Sequence, residues 1–275
     1  MEERIIERLR KVKADDYQLG EIHNLQDLTT LMLQKIGSTD PVLRDELIYT
    51  TFSTFIMKEY YSNEQMKSIL KSVLNKNYLF YRIGHSHKEE DAVFKRSFSV
   101  LLIPPIFHQH QQEAFLTEKE IHDTWEALKK YIQQEKDHRG YVEGKGWAHA
   151  MAHAADALAA VAKCEEIHGE ALKSMLPVIQ QQFLIDQPYL HDEEERMVTA
   201  IMVMFGKMEH TDKVAWLESL IYQRKTWTDP NEDIIINNSK HLLRALYFRM
   251  LYGDHRPMTQ VIENLLRELR KEEAY

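Results

Sequence analysis

The chain has 275 residues, 44% of them hydrophobic and 28% charged, a balance that excludes wholesale disorder and supplies apolar residues for a substantial core. A formal net charge of -8 gives no global attraction for nucleic-acid phosphates, so nucleic acid is not an expected partner. Cys164 is the only cysteine, which rules out an intrachain disulfide and a cysteine-based zinc knot.

The N-terminal run Met1-Glu2-Glu3-Arg4-Ile5-Ile6-Glu7-Arg8 is charged and amphipathic and lacks the sections of a secretory signal. The most apolar window, Met197 to Met208, is too short to cross a bilayer. A cytoplasmic protein with no membrane partner is therefore expected. Apolar residues recur at helical spacing almost throughout, as in Leu43, Leu47, Thr50/Thr51, Thr54 and Met57. The periodicity predicts helices near 5–13, 22–36, 41–60, 63–75, 89–103, 106–113, 118–135, 147–164, 168–183, 192–209, 212–226, 231–252 and 257–272. Asp40-Pro41 and Asp229-Pro230 place an N-cap acceptor before a first-turn proline. Ser62 with Gln65, Thr117 with Glu120 and Asp229 with Glu232 have capping-box spacing. Pro104-Pro105 must break or kink a helix. Short connections force sequential helices to become antiparallel neighbours. The expected fold is all-α over residues 1–275 as a single domain, with helical hairpins stacked as a HEAT/armadillo-like α-α superhelix or as a compact array.

The densest chemistry lies in Arg139-Gly140-Tyr141-Val142-Glu143-Gly144-Lys145-Gly146-Trp147-Ala148-His149, continuing to His153 and Asp156. On one helix, positions 149, 153 and 156 would fall within an arc of roughly 60°. Three readings of this stripe stay open. His149, His153 and Asp156 could hold a divalent metal as a three-ligand site with an open position. They could instead form a buried hydrogen-bonded network in which Asp156 orients His153. The third reading is metal-free ligand binding or acid–base catalysis by the histidines. In that case Gly144 and Gly146 would let backbone amides approach an anion, while Arg139 and Lys145 hold it. Trp147, Met151, Ala154 and Leu158 share another helical face and are expected in the core. The alanines between 148 and 160 predict a thin, central helix. His122-Asp123 and His191-Asp192 invite comparison with the helical HD phosphohydrolases, but the remaining spacing does not follow that pattern.

Three segments in order, Gly37 to Glu46, Asp91 to Phe98 and Glu135 to Asp156, resemble the bacterial domain-of-unknown-function family numbered 2785, with Glu195-Arg196 as a weaker fourth element. The resemblance covers about residues 30 to 200 and implies an all-helical fold without an assigned activity. It groups Asp40, Arg44, Asp45, Arg96, Glu135, Asp137, Arg139, Trp147, His149, His153, Asp156 and Arg196 into one set, expected to converge in one groove. Two functions compete for that groove. The first binds or acts on a small anionic ligand, with Arg44, Asp45, Arg96, Arg139, Lys145 and Trp147 around catalytic His149, His153 and Asp156. The second is a non-enzymatic scaffold for a peptide or protein.

Overall fold

The computed structural model describes residues 2–20, 24–84, 91–253 and 256–271. The helix starts expected near 22 and 89, and the end expected near 272, lie outside the described residues. Helices α1 (Glu2–Ala14) and α2 (Leu25–Lys35) are followed by a π-helical run, Val42–Tyr49, that passes directly into α3 (Thr50–Met57). The chain continues through α4 (Asn63–Val73), α5 (Ala92–Val100), α6 (Ile103–Gln112) and α7 (Glu118–Gln134). A hairpin of β1 (Tyr141–Val142) and β2 (Gly146–Trp147) then leads into α8 (Ala150–Ala162). The remaining helices are α9 (Glu170–Phe183), α10 (Glu193–Phe205), α11 (His210–Ser219), α12 (Pro230–Leu251) and α13 (Thr259–Lys271). The fold is an all-α compact helical array with one two-stranded sheet among the described residues.

Local chemistry sets most of these boundaries. Ser62 and Thr117 each close a reciprocal capping box, with Gln65 and Glu120 respectively. Asp40 Oδ1 accepts the Val42 and Leu43 N–H groups at 2.9 and 3.3 Å and so starts the π-helical run. The break expected at Pro104-Pro105 falls between α5 and α6, whose first turn the prolines occupy. Asp229 caps α12 through Asn231 N at 2.9 Å, but Glu232 does not return to it. The buried Glu232 carboxylate instead accepts from Lys225 N, Thr226 N and Tyr222 Oη. That grip holds the chain out of helix and ends α11 at Ser219, short of the expected 226.

An apolar core runs continuously from Ile5 to Leu269. At its centre α8 packs against α5, α6, α7 and most extensively α10. Ala152, Ala154, Ala155 and Ala157 are fully buried, and their small side chains let four neighbours approach one axis. Helices α8 and α10 lie side by side in the same sense, since His149 approaches Glu193 and Asp156 approaches Arg196. Their N-terminal turns therefore open at the same end of the array.

Candidate functional site

At that end the chain departs from the helix expected to begin at 147. Tyr141 pairs with Trp147 and Val142 with Gly146. Ala148 N donates to Gly140 O at 2.8 Å and His149 N to Arg139 O at 3.1 Å, which prolongs the antiparallel ladder. Glu143-Gly144-Lys145 form the turn. Gly144 lies at φ 73, the conformation the turn requires, and a Cβ there would meet nothing within 4 Å. His149 ends the extended stretch in the left-handed region, φ 45 and ψ 38, and α8 begins only at Ala150. Positions 153 and 156 share a helical face, but 149 does not belong to it. Trp147 is also displaced from its expected core stripe. It is 39% exposed on β2, while Met151, Ala154 and Leu158 are buried.

The expected anion-holding cations are engaged elsewhere. Arg139 pairs with Asp137 through Nε at 2.9 Å and Nη2 at 2.6 Å, and Lys145 Nζ meets Asp91 at 2.9 and 3.0 Å. Arg96 forms a buried two-pronged pair with Glu135, both contacts at 2.7 Å. Glu135 Oε1 also accepts Lys136 N and Asp137 N at 3.0 Å each, which fixes the chain leaving α7. Arg44 is fully buried. Its Nη1 donates to Ser38 O at 2.7 Å and its Nη2 to Lys145 O at 2.8 Å, with its guanidinium over the Phe94 and Phe98 rings. Arg44 thus locks the hairpin onto the π-helical run and α5, while Arg96 ties α5 to the end of α7. Gly146 makes the contact geometrically feasible: it sits at φ 76, and a Cβ there would lie 2.8 Å from Pro41 Cβ and 3.1 Å from Arg44 Nη2.

In front of this support lies a cleft of about 630 Å³ lined by Asp45, Tyr49, Phe98, Leu101, Trp147, His149, His153, Asp156, Leu190, His191, Asp192 and Arg196. Of the residues singled out from sequence, Asp45, Trp147, His149, His153, Asp156 and Arg196 meet here. Arg44, Arg96, Glu135, Asp137 and Arg139 stand behind it, and Asp40 caps the π-helical run. The Trp147 ring lies over His149 with centroids 4.3 Å apart and meets His191 edge-on at 5.2 Å. His153 does not bond Asp156. Its Nδ1 lies 2.7 Å from Ser97 Oγ, and the Ser97 hydroxyl is also bonded to Ala148 O. With that hydroxyl donating to the carbonyl, Nδ1 carries the proton and Nε2 keeps its lone pair. Asp156 pairs with Arg196.

Burial dominates the electrostatics. It lowers His153 to a pKa of about 3, with His149 and Arg196 adding to the effect. It lowers His149 to about 4, again helped by Arg196 and by His191. Both imidazoles are neutral at pH 7, which leaves a ring-nitrogen lone pair for an ion or a donated hydrogen bond but makes each a weak base. Burial raises Asp45 and Asp156, against the opposing pull of Arg44 and Arg196 respectively.

The structure does not gather His149, His153 and Asp156 as three metal ligands. Among the described residues, the three-residue group with metal-ligand spacing is His149, His191 and Glu193, whose ligand atoms lie within 4.8 Å of one another. His191 and Glu193 arrive from the start of α10. Gly140 makes room for His191, since a Cβ there would fall 2.1 Å from Nδ1. The His191-Asp192 dipeptide was the sequence signal for this half of the site. Glu193 had none, because it sits in an acidic helix start that the macrodipole alone explains.

No curated protein and no solved structure matched the chain. A family model, described as protein of unknown function (DUF2785), matches residues 79–248. The match extends beyond the resemblance read over 30–200 at its C-terminal side and leaves Gly37 to Glu46 outside it. It includes α5, the hairpin, α8 and the start of α10, and so every wall of the cleft except the one contributed by Asp45 and Tyr49. Because that span is more than half of the 275 residues, the chain belongs to the DUF2785 family of proteins of unknown function.

Proposed function

We propose that this cleft binds a small polar ligand bearing an anionic group and acts on it by acid–base chemistry. The observation that carries the reading is the convergence of neutral His149 and His153, carboxylates Asp45 and Asp156, and Arg196 on one solvent-connected cleft. Structural packing rarely collects so many ionisable groups at one end of an alanine-rich helix. Arg196, with its side chain 43% exposed, replaces Arg139 and Lys145 as the anion-binding cation. A ligand carboxylate or phosphate would compete with Asp156 for it. His153 Nε2, held in its tautomer by Ser97, accepts a hydrogen bond from the ligand, and Asp156, raised by burial and released from Arg196 as the anion binds, is the base. Trp147, Phe98 and Leu101 supply the apolar wall that a small organic ligand needs. A cytoplasmic setting belongs to the same reading; no helix among the described residues is long and apolar enough to cross a membrane.

The test is thermal denaturation in the presence of inorganic phosphate, phosphate monoesters and small dicarboxylates. A ligand at about 100 times its Kd stabilises by about 2.7 kcal/mol, a shift readily seen. Stabilisation by one of these classes is expected in the parent and in Lys119→Ala, an exposed α7 control, and is expected to vanish in Arg196→Ala. If none of them shifts the melting temperature of the parent, the reading fails. A second reading then takes over, in which the exposed Trp147 and Leu190 of the cleft, with Tyr141 against the Trp147 ring, receive a peptide side chain on a non-enzymatic scaffold.

A further inference from the structure

Behind the cleft wall formed by His149 and His191, one contact is incomplete as it stands. His149 is 9% exposed, and its Nε2 is buried without a hydrogen-bond partner. It faces Glu193 Oε1 at 3.7 Å, too far for a hydrogen bond. Glu193 is itself 3% exposed, and its Oε2 accepts the His191 backbone N–H at 2.8 Å. A buried carboxylate facing a buried, unpartnered imidazole nitrogen is costly unless something positive lies between them. The third member, the His191 imidazole, has a ligand atom within 4.8 Å of both.

We infer that His149, His191 and Glu193 form a binding site for a divalent transition ion of the zinc class. Four-coordinate zinc holds nitrogen and oxygen ligands at about 2.0–2.2 Å, which places neighbouring ligand atoms roughly 3.3–3.5 Å apart. The His149 to Glu193 separation of 3.7 Å is already close to that, and side-chain rotation of about 1 Å brings in His191. Two imidazoles and one carboxylate suit zinc better than calcium or magnesium, which prefer all-oxygen sets. Three protein ligands leave a coordination position open, as in catalytic rather than structural sites.

The backbone is shaped for this set. His149 and Asp192 are both non-glycine residues in the left-handed region, at φ 45 and φ 63, directly before α8 and α10. The left-handed residues bring the entries to the two helices together across their parallel starts, with Gly140 clearing space for the His191 ring. Strain of this kind persists where surrounding structure demands it and clusters at functional sites. The ion would also account for how an anionic ligand enters a cleft walled by Asp45, Asp156 and Asp192: it supplies the positive charge, and its open position meets the anion beside Arg196. That role of the ion rests on the small-ligand reading; ion binding itself is measured without any ligand, so the two can fail separately.

The experiment uses tag-free full-length protein, stripped with chelator and titrated with Zn(II) by calorimetry, with metal content of the unstripped protein measured in parallel. Near one equivalent is expected. Outer-shell partners of zinc ligands cost about 10–100-fold in affinity, so Glu193→Gln and His191→Asn, as direct ligands, should each cost more. His153→Ala and Asp156→Asn should bind like the parent. Helicity and melting are checked for each variant. Should the ligand variants fail to fold, Co(II) added to the stripped parent decides: four-coordinate visible bands that Zn(II) displaces support the site. Absence of stoichiometric Zn(II) binding by folded parent protein overturns it. So does binding that survives Glu193→Gln and His191→Asn but is lost in His153→Ala or Asp156→Asn.

Discussion

At the scale of single residues, the cleft is held together by conformations that its own sequence resists. Asp192 sits at φ 63 as the residue before α10 and makes no side-chain capping bond. Glycine adopts this region without a Cβ penalty, whereas an L-residue pays for it. Both replacements remove an anion from a helix start, but Asp192→Gly also relieves the left-handed penalty, partly offset by the greater freedom it gives the unfolded chain. Asp192→Gly is therefore expected to be the less destabilising of the two and Asp192→Ala, which keeps the strain, the more destabilising. Urea denaturation of the two variants checks the pair; if glycine is the more damaging replacement, the left-handed penalty is smaller than the freedom glycine gives the unfolded chain. A buried pair gives the contrasting case. Arg96 and Glu135 are 2% and 0% exposed in their side chains, and Arg96→Met leaves the carboxylate without its main partner. Removing one member of such a pair costs about 3–5 kcal/mol, and the same urea experiment should show a loss of that size. Arg96, Arg139 and Lys145 looked like ligand-binding cations in the sequence because a charge has no visible partner there. Only the fold shows that Glu135, Asp137 and Asp91 reach them first.

Among the elements, the helices were legible because apolar period, caps and prolines agreed. Ser62, Thr117 and Asp40 each act as their spacing suggested. The hairpin was not legible: its strands are two residues each, too short for alternation to register. Helical periodicity through 147–149 would put His149 and Trp147 on α8, which neither joins. The π-helical run was equally hidden, since its apolar positions fit an ordinary helix, yet it is what aims Asp45 at the cleft. The hairpin's two glycines separate conformational demand from packing. Gly144 and Gly146 have similar φ, 73 and 76, but a Cβ at Gly144 would meet nothing within 4 Å, whereas one at Gly146 would strike Pro41 and Arg44. Gly144→Ala is expected to cost about 1 kcal/mol from backbone strain alone. Gly146→Ala should cost clearly more and should quench or shift Trp147 fluorescence as the hairpin is levered off the π-helical run. Equal costs for the two would mean that the Arg44 clamp contributes little.

For the whole molecule, class and helix order were within reach of the sequence, but the meeting of α8 with α10 was not. It depends on α9 carrying the chain back so that two helices start at the same end, and nothing in a linear pattern encodes that return. The same burial that builds the cleft makes the fold sensitive to acid. His110 Nδ1 accepts the Phe115 and Leu116 N–H groups at 3.0 and 3.1 Å, and burial lowers its pKa. Burial likewise lowers His138, whose Nδ1 lies 3.3 Å from Tyr189 Oη. An unfolded histidine titrates near 6.5, so below that pH the unfolded chain takes up protons that the folded chain refuses. Stability contributed by these neutral imidazoles is full above about pH 6.5 and is lost as pH falls toward their depressed folded values, by at most about 1.4 kcal/mol per pH unit for each. Asp45 and Asp156 act with the opposite sign, because burial raises them and the folded state then binds protons more readily than the unfolded chain in the carboxylate range. On chelator-treated protein, urea denaturation from pH 7.5 down to pH 5 should therefore show falling stability. His110→Asn keeps an acceptor for the two N–H groups and cannot titrate, so its profile should be flatter than the parent's over the same range. A parent profile that is flat from pH 7.5 to 5, or a variant as steep as the parent, would show that His110 does not stay neutral in the folded state.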